Sequence, residues 1–260
     1  MLGRSINNKT RQFLVWCGVD TEQVQRWSLE SLQKKDLLQL YLQQKKLQTV
    51  KFKSRKLPES ERIVDQPAHK FYVDYLKKRK IDHEKYALFC DPTGLQWKKY
   101  GIIIPYTYKG KIVGHTTRFL DSRSPKYINE QQPGYVFNLD MQHPDWNVCI
   151  VTEGIFDAMS IDGVAIMHDD ISNEQSMMLA SLNKKIIVVP DYDKTGLKIT
   201  DRALELGYHV SLPNWGPGIK DVNDAVVKYG KLATILAILE NATMSKIKIE
   251  MRKKQIDKGL

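Results

Sequence analysis

Cysteine is scarce in this chain. Cys17, Cys90 and Cys149 are the only three in 260 residues, widely separated and without a Cys-x-x-Cys pair. That spacing excludes a zinc ribbon within the chain, so no zinc is expected in it, and it fits buried thiols in a reducing compartment. Long apolar runs are missing as well. No stretch approaches the roughly 18 residues that cross a bilayer, and the N-terminus has no apolar signal-peptide core, so a cytoplasmic protein with no membrane partner is expected. No internal repeat is visible. Positive charge, by contrast, is in excess: 40 Lys and Arg against 30 Asp and Glu leave a net charge of +10. The simplest partner for that excess is a polyanion such as nucleic acid.

Residues 1–64 read as a helical N-terminal segment and a linker. Leu29, Leu32, Leu37, Leu40 and Leu47 recur at nearly helical spacing, whereas 51–67 has two prolines, many charges and little apolar content. The spacing predicts an amphipathic helix over 69–81, closed by a basic run at 77–80 that reads as a solvated helix end. GIIIPYTYKGKIVGHTTRFLD (101–121) reads as a hairpin turning at Lys109-Gly110, and 122–129 as a loop carrying Arg123 and Lys126. After His143-Pro144, apolar strands at 148–154, 163–167, 185–191 and 208–212 alternate with helices at 155–161, 172–182, 194–207 and 220–230. Ser172 is the expected N-cap of the second of these helices, with Gln175 at its third position. The alternation indicates an α/β fold with a parallel sheet flanked by helices at 148–230. A smaller α+β subdomain (65–147) precedes that sheet, and a basic helical tail (231–260) follows it.

The stretch IIVVPDYDKTG (186–196) ends an apolar strand in Asp191 and Asp193. If the chain stays extended, both carboxylates face one side, where two charges about 6 Å apart repel by roughly 3 kcal/mol at an effective dielectric near 20. Taken alone, these residues fit an ordinary turn as well as a metal site. Two further acidic groups follow strands: Glu153 with Asp157, and Asp221 with Asn223 and Asp224. One strand-end acid is usually a helix cap. Three such groups at the ligand-binding end of one sheet build a negative potential suited to Mg²⁺. His168 reads as a satisfied structural histidine, not a catalyst.

EGxxDA (Glu153, Gly154, Asp157, Ala158) followed by PDxDxxG (Pro190, Asp191, Asp193, Gly196) resembles the Toprim domain, shared by DnaG-type primases, type IA and II topoisomerases, OLD-type nucleases and RecR proteins. The upstream segment resembles primases in particular. It has an apolar strand, a hairpin, a strand from Gly114 to Arg118, and a PKYxN loop (Pro125, Lys126, Tyr127, Asn129). KDVND (220–224) resembles the last acidic motif of T-even-type phage primases. The resemblance spans 69–230 and implies a DnaG-type or T-even-type phage DNA primase catalytic core without the N-terminal zinc ribbon. Such a core is a DNA-directed RNA polymerase that makes short RNA primers on single-stranded DNA from NTPs, for DNA replication.

By the same resemblance Glu153, Asp157, Asp191 and Asp193 are catalytic, and Glu153, Asp191, Asp193 and Asp221 bind Mg²⁺ or Mn²⁺. Asn223, an Asp in many bacterial enzymes, and Asp224 support the site. Arg118, Lys126, Tyr127 and Asn129 bind nucleotide and template. The absence of a GxxxxGK[ST] loop means that a hexameric replicative helicase would be a separate partner, as would a zinc-ribbon module on another chain. A Toprim-family nuclease and a non-catalytic nucleic-acid-binding replication subunit are the alternatives.

Overall fold

The computed structural model describes residues 8–30, 50–91, 101–122, 124–193 and 196–259. Leu32, Leu37, Leu40, Leu47 and Arg123 fall outside those residues. Two compact units emerge, Met1–Thr49 and Val50–Leu260. In the first, helix α1 spans Asn8–Trp16, and residues 21–30 form helix α2. Asp20 starts α2, its carboxylate accepting the Gln23 N–H at 3.1 Å.

Among the described residues, the second unit holds two five-stranded sheets. The first is antiparallel, in the order β1 (Glu61–Arg62), β2 (Phe89–Cys90), β3 (Gly101–Tyr108), β4 (Lys111–Phe119), β5 (Tyr127–Glu130). Lys109 and Gly110 make the two-residue turn between β3 and β4, both with positive φ, which matches the twist of the flanking strands. Gly114 on β4 must be glycine, because a Cβ there would lie 2.1 Å from the Glu130 carbonyl oxygen of β5. Two expectations are corrected here. Tyr127 and Asn129 belong to an edge strand and not to a loop, because β5 pairs with β4 in the register Arg118↔Tyr127 and Thr116↔Asn129. Residues 51–67 are not a free linker: Arg55 N–H bonds the Ile112 carbonyl at 2.8 Å, and the Phe52 ring packs edge-on against Tyr108 and Tyr135. Their charge concealed this, since the bonds that hold them use backbone atoms.

Helix α3 (Lys70–Lys78) covers the antiparallel sheet with Tyr72, Val73 and Leu76. The second sheet runs β10 (Ala242–Thr243), β9 (His209–Ser211), β8 (Lys185–Val188), β6 (Val148–Thr152), β7 (Val164–Ala165). β6 pairs in parallel with β7 and β8, and β8 with β9; β10 is antiparallel to β9. Helices α4 (Ile155–Ile161), α5 (Asn173–Ala180), α6 (Ile199–Glu205) and α7 (Val222–Tyr229) follow β6, β7, β8 and β9, so every crossover leaves the carboxyl edge of the sheet. The strands are buried on both faces, and each fully buried Ile or Val contributes about 1.5–3 kcal/mol of burial energy.

Ser172 caps α5 as expected, forming a capping box with Gln175. The buried Gln175 amide also donates to the carbonyls of Tyr135 and Ile166, at 3.0 and 2.8 Å. The 231–260 segment is not a loose tail. Helix α8 (Lys231–Glu240) leads into β10, and helix α9 (Lys246–Gly259) buries Ile249 and Ile256 in the core of the parallel sheet. Arg252 of α9 donates to the Leu212 and Pro213 carbonyls, so this basic residue is structural.

Candidate active site

Strand β6 delivers Glu153 just past its last residue, and Gly154 begins α4 in extended conformation. The chain beyond β8 continues far enough for Val189 N–H to bond the Val151 carbonyl at 2.8 Å, which sets Pro190-Asp191 beside the end of β6. Glu153 Oε1 then accepts the Asp191 N–H at 3.1 Å. The period of two holds through the acidic stretch. Tyr192 turns inward, 5% exposed, with its N–H on the Lys220 carbonyl and its hydroxyl on that of Pro213, while Asp193 is exposed. Asp193 Oδ1 accepts the Gly196 N–H at 2.7 Å, so turn and acidic site are one feature.

Asp157, in the first turn of α4, is buried and accepts the Asn223 N–H at 2.7 Å. Asp221 caps α7 by accepting the Asp224 N–H at 2.7 Å. Asn223 exchanges two hydrogen bonds with Arg79: its Nδ2 donates to the Arg79 carbonyl at 2.8 Å and its Oδ1 accepts from the guanidinium at 3.0 Å. Its amide oxygen therefore points at an arginine, and Asn223 ties α7 to Arg79.

Burial, with the charges of the neighbouring acids, pushes the Asp191 carboxyl up to about 7. Glu153 rises to about 7 through burial, opposed by the Asp191 N–H and reinforced by Asp193 and Asp169. Asp157 is held well above the usual range by burial and then by Asp221. These groups titrate near 4 in an unfolded chain, so the folded chain binds more protons between about pH 4 and pH 7. Stability of the metal-free chain therefore falls as pH rises through that window. We expect its thermal midpoint, compared with that of Asp191→Asn, to drop progressively between pH 5 and pH 8, with Mg²⁺ restoring it. A pH-independent difference between the two proteins would count against this electrostatic account.

The residues fit a hard divalent cation. Glu153, Asp191 and Asp193 offer carboxylate oxygens on a partly exposed edge, where an ion can retain waters. They do not form a closed cage. Among the described residues, the trio of possible ligands with all donor atoms within 4.8 Å of one another lies elsewhere, at Glu61, His69 and Cys90.

The antiparallel sheet presents cationic and aromatic groups. The Arg118 guanidinium lies 4.4 Å from the Tyr127 ring centroid, its Nε buried without a hydrogen-bond partner among the described residues. Tyr127 is in electrostatic range of both Asp157 and Arg79, which brings this sheet edge to the acids. Lys126 is exposed, and Asn129 Oδ1 accepts the hydroxyl of buried Tyr106 at 3.1 Å, so that part of Asn129 braces the strand.

Two groups escaped sequence reasoning. Arg79, expected in a solvated helix end, packs 5.6 and 5.8 Å from the ring centroids of Tyr75 and Phe156 and binds Asn223. Nothing local distinguishes it from the lysines around it. Asp169, beyond β7, adds to the charge around Glu153 and was findable by the same strand-end rule. His168 is exposed beside it and not a buried structural histidine.

Residues 150–226 match the family described as Toprim-like. The DNA primase of Clostridium acetobutylicum is 27% identical over 160 residues, covering 54% of this chain and 26% of that protein. The DNA primase of Thermotoga maritima is 30% identical over 120 residues, covering 40% of this chain and 21% of that protein. The chain thus spans about a quarter of the length of the curated relatives it matches. Among solved structures, a DnaG primase catalytic domain bound to ssDNA superposes with a TM-score of 0.59 at 19% identity, over 74% of this chain and 78% of that one. An E. coli primase catalytic core gives 0.58 at 19%, over 74% and 80%.

Proposed function

From a chain that carries a Toprim-like domain on the fold of the DnaG-type primase catalytic core, we propose a DNA primase that builds short RNA primers on single-stranded DNA. The observation that carries this reading is the meeting of two unlike surfaces. Asp157 and Asp221, two of the strand-end acids, feel the charge of Arg79, and Asp157 acts on Tyr127, whose ring stacks on Arg118 of the antiparallel subdomain. The DNA primases among its relatives support the same reaction.

In that reaction a primer 3′-hydroxyl attacks the α-phosphate of the next NTP and pyrophosphate leaves. Glu153, Asp191 and Asp193 would hold Mg²⁺ or Mn²⁺, with Asp157 and Asp221 behind them and Asp224 securing the Asp221 cap. The bound cation supplies charge stabilisation at the reacting phosphate. Arg118 and Lys126 attract the triphosphate and template backbone. Tyr127 orients the Arg118 guanidinium of the neighbouring strand by stacking, and Asn129 fixes β5, the strand that carries Tyr127. Arg79 holds α7 to the subdomain through Asn223 and offsets the charge of Asp157. The NTPs and single-stranded DNA are substrate and template. A hexameric helicase and a zinc-ribbon module on another chain are the protein partners of this reading, and the host cytoplasm its location.

The test incubates the chain with single-stranded DNA, labelled NTPs and Mg²⁺ or Mn²⁺, with and without a hexameric helicase. Short labelled RNA that Asp193→Ala abolishes is the expected result, and DNA cleavage without synthesis would replace the reading with a nuclease. DNA binding with neither synthesis nor cleavage would leave a non-catalytic subunit. Lys126→Ala should lower synthesis about tenfold or more while metal affinity, read by titration calorimetry, stays unchanged; a charge-assisted contact to phosphate is worth about 1.5–3 kcal/mol.

A further inference from the structure

We propose that Glu61, His69 and Cys90 form a zinc site in the antiparallel subdomain, separate from the strand-end acids. β1 and β2 pair with Glu61 directly opposite Cys90, and a helical turn at Pro67–His69 brings the imidazole to the same spot. A carboxylate oxygen, a ring nitrogen and a thiol sulfur lie within 4.8 Å of one another. His69 and Cys90 are 2% and 1% exposed, whereas Glu61 stands on the solvent rim, where water can complete the coordination.

Tetrahedral zinc, with bonds of about 2.0–2.3 Å, holds its ligands about 3.5 Å apart, so the trio closes on the ion with small side-chain movements. Sulfur and imidazole favour zinc over the magnesium suited to the acids. The expectation of a zinc-free chain considered only paired cysteines, and this trio assembles from three separated segments.

The proton balance is specific. His69 Nδ1 accepts the Val64 N–H at 3.2 Å, which leaves the ring proton on Nε2, 2.9 Å from Glu61. Zinc takes that position. The Cys90 thiol proton is released to solvent and the ring proton passes from Nε2 to Nδ1. The Gln66 amide, 3.1 Å from Nδ1, turns over to accept it, and the long Val64 bond is given up. Without zinc the same residues are a His–Glu hydrogen bond beside a buried thiol.

Metal-free full chain titrated with Co²⁺ distinguishes the two. One equivalent should develop a thiolate-to-cobalt charge-transfer band, which carboxylate sites do not give, and Zn²⁺ should displace it. Asp191→Asn should keep the band and Cys90→Ala should lose it. His69→Gln should weaken Co²⁺ binding at least about tenfold. In the Asp191→Asn background, where the acidic cluster has lost a ligand, Zn²⁺ should also raise the thermal midpoint more when Cys90 is present than when it is replaced by Ala. Should Cys90→Ala fail to fold, Glu61→Gln on the rim should still lower Co²⁺ affinity. No band in the wild type, or an unchanged band in a folded Cys90→Ala protein, would overturn the proposal.

Discussion

Asp191→Asn is expected to reduce primer synthesis at pH 8 by at least about a hundredfold, while the metal-free protein becomes more stable. Charge stabilisation by a bound cation is worth several kcal/mol in such transfers, and about 3 kcal/mol corresponds to roughly a hundredfold in rate. Asp191 is the acid most surrounded by others: Glu153, Asp221, Asp193 and Asp224 all raise its carboxyl, on top of burial. An amide keeps the shape and removes the charge. The repulsion thereby relieved should raise the thermal midpoint above pH 7 and leave it nearly unchanged at pH 5, where the wild-type carboxyl already carries a proton. Opposite signs in activity and stability are the signature to measure, by primer-synthesis assay and thermal melts with chelator present. Loss of both would mean that Asp191 holds the fold together.

Gly196→Ala carries the second large effect, and space causes it, since this glycine has no positive φ. A Cβ at 196 would sit 2.5 Å from the Asp191 carbonyl oxygen, 2.6 Å from Glu153 Oε1 and 3.0 Å from the Asp191 N–H. Two of those three atoms are backbone, and the third is a carboxylate oxygen held by a hydrogen bond to that same N–H. The turn or Glu153 must move by several tenths of an ångström or more. Displacements on the ångström scale cost about a hundredfold in rate, and overpacking of this kind typically costs about 1–3 kcal/mol in stability. A folded Gly196→Ala chain with undiminished synthesis would show that Glu153 and Asp191 need not be held this closely.

The parallel sheet was legible because its signals are local. Runs such as CIVT and IIVV are apolar on both faces, Gly154 marks the turn into α4, and Ser172 with Gln175 fixes where α5 starts. The acids were legible for the same reason, since each follows such a run. Arg79 was not, because a guanidinium at the end of α3 looks the same whether it faces water or Asn223, 144 residues away. Nor was the packing of residues 51–67, which rests on backbone hydrogen bonds and one aromatic ring, Phe52, in an otherwise charged stretch.

By itself, then, the sequence determined which segments could be strands and helices and which carboxylates would stand at strand ends. Periodicity and turn chemistry act over a few residues, and those few residues are printed in order. Only the tertiary structure decided that Asp193 adds its charge to that of Glu153, that Asn223 anchors an arginine, and that Glu61, His69 and Cys90 meet. Each of those facts is a distance between segments far apart in the chain, set by how two sheets and their covering helices pack, and no local pattern encodes it.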